Sequence, residues 1–143
     1  VENTKVVGAE KDGTQATAVI AQTASNQKRY YAKKFILATG GFYSGGITMR
    51  AFEQPKEMIF DLPVYFVKGE ENWSNKELFS NKPQGFAKTG ILTDETLRPV
   101  DESGKRVLDN VYVVGRNLGG YDFCFEHSGN GVALASAYKA AMM

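Results

Sequence analysis

One cysteine, one histidine and four prolines among 143 residues leave several kinds of chemistry without material. Cys124 alone cannot close an internal disulfide, and a lone thiol makes a reducing compartment the default expectation. Cys124 and His127 together are too few for a zinc site or an iron–sulfur cluster, so no metal site is expected. No apolar run approaches the roughly 18 residues of a membrane-spanning helix. The first residues lack the basic and apolar regions of a signal peptide, so a water-soluble chain is expected. Charge of either sign is also scarce as a patch: 17 Lys and Arg against 16 Asp and Glu leave a net +1, with no basic cluster longer than a pair. That excludes the electrostatic footprint of a nucleic-acid binder. The chain opens on Val1 without an initiator methionine, in a strand-like segment, which reads as a piece of something longer.

What is present is ordinary globular composition, 43% hydrophobic, at about one domain's length. Residues 1–34 read as an antiparallel meander. Thr4 to Glu10 and Ala16 to Thr23 are strands around an Asp12-Gly13 turn, and a polar turn at 25–28 leads to a third strand at 29–33. Residues 35–46 are an apolar strand, Phe35-Ile36-Leu37-Ala38, of the kind buried on both faces in a parallel sheet, followed by the glycine-rich exit Thr39-Gly40-Gly41-Phe42. Residues 47–90 read as a cap or linker. The pattern allows a short helix over 49–58 broken at Pro55, a strand over 61–67, and a polar stretch carrying Trp73, Leu78 and Phe79. In residues 91–143, Asp94-Glu95 precedes Arg98-Pro99 as a turn rather than an acid–base pair, and 101–105 reads as a hairpin-like loop.

The densest signal runs from Asn110 to Ala141. Val111-Tyr112-Val113-Val114 is a buried strand, Gly115 and Gly119-Gly120 form a loop that lets backbone approach a ligand, and Val132 to Ala141 is a helix of small residues. Strand, glycine loop and helix N-terminus bring free N–H groups and a positive dipole end together, suited to an anion or an electron-rich ring. Gly129 and Gly131 do not make a dinucleotide fingerprint. Leu134 occupies the third small position, and the motif does not follow its strand directly.

The two glycine-rich strand ends, in KKFILATGGFYSGGI and NVYVVGRNLGGYD, together with TDETLRPV and SGNGVALASAYKAA, resemble the C-terminal part of flavoproteins of the succinate dehydrogenase/fumarate reductase type. Within that superfamily the likeness is to the B-subunit family of the anaerobic glycerol-3-phosphate dehydrogenases, and TDETLRP and GGYD carry it. The resemblance implies an α/β fold: the C-terminal part of a glutathione reductase-like FAD/NAD(P)-binding fold, with meander, two buried parallel strands and a C-terminal helix. It implies FAD or FMN as cofactor. Thr39, Gly40 and Gly41 would lie by the adenine–pyrophosphate side, Gly115, Arg116, Gly119 and Gly120 beside the ribityl and pyrophosphate, and Gly129, Asn130, Gly131 and Val132 under the isoalloxazine. A helix N-terminus there stabilises the charge of reduced flavin.

It further implies partners, namely a larger catalytic flavin subunit of glycerol-3-phosphate dehydrogenase together with its iron–sulfur subunit, and glycerol 3-phosphate as substrate. Electrons would leave for quinone, and the complex would sit on the cytoplasmic face of the inner membrane. The family's N-terminal G-x-G-x-x-G unit and ribose-binding acid have no counterpart in these residues, so weak flavin retention by this chain alone is expected. An exposed apolar strand edge is expected to pair copies of the chain. Two other readings stay open: a fumarate reductase-like or ketosteroid dehydrogenase-like flavin enzyme, and a flavin-free interaction module built on residues 73–86. Such reductases pair a His with an Arg, and His127 is the sole histidine, readable as a proton relay or as a loop residue making hydrogen bonds.

Overall fold

Small, alternating side chains in the first 22 residues produce a hairpin that lies flat on the rest of the protein. The computed structural model describes residues 2–50, 53–78 and 81–143. Strand β1 (Lys5–Asp12) pairs antiparallel with β2 (Gln15–Gln22), which pairs antiparallel with β3 (Gln27–Tyr31). Ala16, Ala18 and Ala21 of β2 are buried, whereas β3 is almost wholly exposed and carries its cationic residues outward. The expected meander is therefore present, with its turn at Gly13 in the left-handed conformation.

The meander is tied to a parallel pair. Strand β4 (Phe35–Leu37) runs beside the last strand of the chain, β7 (Val111–Val113), in the register Phe35↔Val111 and Leu37↔Val113. Asn110, buried, makes the joint. Its Oδ1 accepts from the Ala16 N–H (2.8 Å) and its Nδ2 donates to the Ala16 carbonyl (2.7 Å) and the Lys33 carbonyl (3.2 Å). One face of the pair, Phe35, Leu37, Val111 and Val113, packs with Ala16, Phe60, Leu62, Ile91 and Leu108. Tyr112 and Val114 turn the other way, onto Ala140 of helix α1 (Gly129–Ala141) and Leu97.

Burial on both faces holds for β7 but not for β4, where Ile36 is 54% exposed. Ile36 shares a face with Tyr112, and α1 covers Tyr112 without reaching it. The strand also ends at Leu37, leaving Ala38 exposed. The short helix expected over 49–58 is absent among the described residues, positions 51 and 52 lying outside them. Instead β5 (Ile47–Thr48) and β6 (Lys56–Glu57) form a small antiparallel pair. The strand expected over 61–67 is reduced to one bridge, Tyr65 to Gly90. The cause is Glu57. Its buried carboxylate accepts from the N–H groups of Ile59 (2.7 Å), Phe60 (2.7 Å) and Leu62 (3.4 Å), curling the chain so that Phe60 and Leu62 enter the core, with Asp61 at φ 52° between them. Satisfying those donors outweighs the strand propensity of the segment. Trp73 folds back, its Nε1–H donating to the Val67 carbonyl, while Phe79 lies outside the described residues.

The TDETLRP stretch is a turn, as expected, and its carboxylate builds it. Asp94 Oδ1 accepts from the Thr96 N–H (2.8 Å), the Thr96 hydroxyl (2.6 Å) and the Arg98 N–H (3.1 Å), which holds Leu97 at φ 63°. Arg98 then stacks on Tyr112 and donates to its hydroxyl (2.9 Å), fixing the turn on β7. Asp101 repeats the device for the 101–105 loop, accepting from Ser103 and Lys105. Burial alone would raise the Asp94 carboxyl. The bonds from Thr96, Arg106 and the backbone outweigh it and hold the group at about 2.

Two outcomes are expected. Asn110→Ala leaves the Ala16 and Lys33 groups unpaired in the interior and lowers stability by about 2–3 kcal/mol in urea unfolding. Asp94 has a folded pKa below its unfolded one, so its contribution is present above about pH 4 and is lost as pH falls toward 2. Asp94→Asn should flatten the stability-versus-pH curve in that window.

Candidate flavin site

Parallel strands send their C-terminal ends to the same side, so the loops after β4 and β7 meet. At such ends α/β proteins place ligands. Thr39, Gly40 and Gly41 follow β4, and Gly115, Arg116 and Asn117 form a 3₁₀ turn after β7. A Cβ on Gly41 would stand 2.6 Å from the Arg116 carbonyl oxygen, so only glycine permits this approach of the two backbones. Asn117 clamps them. Its Nδ2 donates to the Leu37 carbonyl (3.0 Å) and its Oδ1 accepts from the Thr39 hydroxyl (3.3 Å).

Helix α1 joins from the third side. The Gly115 N–H donates to Ser136 Oγ (2.9 Å), and the Ser136 hydroxyl donates to the Val132 carbonyl (2.6 Å), locking the glycine turn to the helix. The helix begins at Gly129, three residues before the expected Val132, so that both glycines lie in its first turn. Ser128 provides no side-chain cap and the first turn holds no acidic residue. The N–H groups of Gly129, Asn130 and Gly131 therefore keep their positive end open, whereas the Val132 N–H is committed to the Ser128 carbonyl (2.8 Å).

Arg116 lies flat on Phe123, its guanidinium carbon 3.2 Å from the ring centre, and reaches the Tyr121 hydroxyl at 3.4 Å. No carboxylate pairs with it among the described residues, so its charge stays available beside the glycine turn. Phe123 in turn sits against Gly129 and meets Phe86 edge-on. Gly119 and Gly120 are placed differently from the other glycines. Their N–H groups donate to the Ile91 (3.0 Å) and Lys88 (2.9 Å) carbonyls, and Gly119 packs directly on Gly90, so the pair seams this loop to residues 88–91.

Buried Asp122 holds the segment that follows. Its carboxylate accepts from the N–H groups of Gln84 (2.5 Å), Phe125 (3.0 Å) and Cys124 (3.1 Å). Burial first, and Asp122 second, push the Cys124 thiol up, which argues against a thiolate nucleophile. His127 is exposed, at φ 52°, and its side chain makes no hydrogen bond among the described residues. Among the described residues no cluster of His, Cys, Asp and Glu could hold a metal ion.

A cleft of about 510 Å³ opens between β1 and this junction, lined by Thr4, Val6, Thr39, Gly46, Thr48 and Met58 among others. Its size lies within the range of small-molecule sites. A cleft beside one glycine loop, a cation on the other and an open helix N-terminus fit a dinucleotide cofactor, with mixed apolar, hydroxyl and positive surroundings. Asn117, Asp122 and Ser136 lie inside the quoted motifs, but the sequence assigns them no role. Each acts through a contact distant along the chain, and nothing in the spacing of VVGRN or ALASA singles them out. Gly41→Ala drives a methyl into the Arg116 backbone, so a loss of about 1–3 kcal/mol in stability, together with weaker flavin binding, is expected from thermal unfolding and flavin titration.

Residues 3–132 match the family described as the FAD binding domain. The chain is 38% identical over 109 residues to the probable B subunit of the anaerobic glycerol-3-phosphate dehydrogenase of Halobacterium salinarum, covering 76% of this chain and 25% of that protein. It is 39% identical over 110 residues to the B subunit of the anaerobic glycerol-3-phosphate dehydrogenase of Yersinia enterocolitica, covering 77% of this chain and 25% of that one. With the same protein of Vibrio cholerae the identity is 32% over 138 residues, covering 95% and 30%. The chain thus spans between a quarter and a third of the length of these relatives. No solved structure matches it. The chain belongs to the FAD-binding domain family and resembles, within it, the B subunits of the anaerobic glycerol-3-phosphate dehydrogenases.

Proposed function

We propose that this chain forms the flavin-contacting C-terminal portion of the B subunit in an anaerobic glycerol-3-phosphate dehydrogenase, within a glutathione reductase-like fold. The observation that carries this reading is the junction at the ends of β4 and β7, where two glycine loops meet, Ser136 ties α1 to Gly115, and Phe123 links Arg116 to the first residue of α1. FAD is favoured over FMN by the family match and by the cleft beside Thr39, which offers room for the adenosine half. Thr39, Gly40 and Gly41 would hold that half, and Gly115 and Arg116 the middle of the cofactor. The open N–H groups of Gly129, Asn130 and Gly131 would face the flavin ring, with Val132 completing the turn.

A bound flavin would supply two-electron redox chemistry here. The chain's own part is electrostatic. Backbone donors and the α1 dipole favour the anionic reduced state without a titrating side chain, and Arg116 adds a fixed positive charge. No residue is assigned to substrate. Oxidation of glycerol 3-phosphate to dihydroxyacetone phosphate is proposed for the complex with the larger catalytic flavin subunit. Electrons would leave through the iron–sulfur subunit toward quinone and then fumarate or nitrate. No described helix is long and apolar enough to cross a membrane, so contact with the cytoplasmic face of the inner membrane is proposed to run through the complex. Where this portion stands alone, β4, which pairs only with β7 among the described strands, would pair copies of it.

The interaction-module reading loses ground because Trp73 and Gln84 bond within the chain itself. A fumarate reductase-like site would need His127 beside an arginine, yet Arg116 is stacked on Phe123. The test is the visible absorbance spectrum of this chain and of the longer protein containing it, both washed free of loose flavin. Flavin bands in the longer protein and none in this chain are expected. Bands in neither would overturn the flavin reading.

A further inference from the structure

We infer that Asn117 fixes the hydrogen-bonding polarity of Thr39, so that Thr39 receives a donor group of the bound nucleotide and refuses a phosphate oxygen. The inference rests on the flavin reading and goes beyond it to a residue that the resemblance leaves without a role. Asn117 is fully buried and its amide has no freedom to flip. The Leu37 carbonyl only accepts, so the Nδ2 end faces it at 3.0 Å. Oδ1 is thereby turned to Thr39 Oγ1, 3.3 Å away, and because an amide oxygen carries no proton the threonine must donate.

A hydroxyl has one proton and two lone pairs. With the proton committed to Asn117, Thr39 presents lone pairs alone. The backbone of Gly46 sits against the same oxygen, since a Cβ there would stand 2.5 Å from it, and this leaves little room for the side chain to turn. Thr39 is exposed and lines the cleft shared with β1, Thr48 and Met58. A ligand group meeting Thr39 must therefore bring a hydrogen: a sugar hydroxyl or an exocyclic amine. A phosphate oxygen brings none, so the nucleoside part of the cofactor belongs at Thr39 and the pyrophosphate belongs nearer to Arg116. Asn117 is a positioning residue in this arrangement, acting through Thr39.

Flavin fluorescence anisotropy tests it, titrating FAD and, separately, FMN up to concentrations that register weak binding. Thr39→Val should weaken FAD about three- to tenfold, the effect of one hydrogen bond, while Thr39→Ser stays close to the parent. Asn117→Leu should cost the same factor, and the double variant Thr39→Val/Asn117→Leu no more than either alone. FMN, which lacks the adenosine half, should be unaffected by all of them. Full FAD affinity in Thr39→Val, additive losses in the double variant, or equal losses for FMN would overturn the inference while leaving the flavin reading intact. The same variants are read in the longer protein containing this chain, and no FAD binding by that protein at any concentration would overturn both. Thr39 lies at the surface, so its two variants decide the matter even where Asn117→Leu perturbs folding.

Discussion

The parallel pairing of β4 with β7 is the contact on which everything else hangs. Two parallel strands of three residues each are not a stable sheet by themselves. They persist because both ends of the ladder are tied by buried asparagines. Asn110 bonds the incoming end to the meander through Ala16 and Lys33, and Asn117 bonds the outgoing end through Leu37 and Thr39. Between these ties one face carries the main core and the other receives α1. A buried amide that satisfies backbone groups on a neighbouring segment is costly to lose and tolerates few substitutes, so it specifies register more sharply than the aliphatic contacts around it.

Function follows from where that ladder ends. Parallel strands must release their loops on one side, and here both loops are glycine-rich, so their backbones touch and leave N–H groups and a cleft in place of side chains. The helix after β7 is tied to the same junction by Ser136 on Gly115, and Phe123 lies between Arg116 and its first residue. A cofactor whose charge changes on reduction is well served by such fixed dipoles, which neither titrate nor reorganise. The remaining polar groups, at Glu57, Asp94, Asp101 and Asp122, build loops. Each carboxylate gathers N–H groups from residues just beyond it or, for Asp122, also from Gln84.

Much of this is legible in the order of the residues. The meander, the ATGG exit, the turn at Asp94 and the late strand with its helix all come from local patterns: a β-hairpin dipeptide, an apolar run ending on glycines, a carboxylate ahead of a proline. The middle is not legible. A helix over 49–58 and a strand over 61–67 have reasonable local propensity, but Glu57 captures three N–H groups and bends the chain, a choice made by burial. Ile36 misleads in the opposite sense, since an apolar run cannot say whether a helix extends far enough to cover it.

The sequence by itself determined the class of the protein and the glycines that close the ends of β4 and β7, because such residues are read from backbone needs that are local. Only the tertiary structure decided which N–H groups remain open. Those of Gly119 and Gly120 are spent on residues 88–91, and that of Val132 on Ser128, while those of Gly129, Asn130 and Gly131 have no acceptor among the described residues. It also brought Asn117, Ser136 and Asp122 into the site. Their importance lies in partners about 20 to 80 positions away. A hydrogen bond between distant segments leaves no periodicity in the chain that makes it.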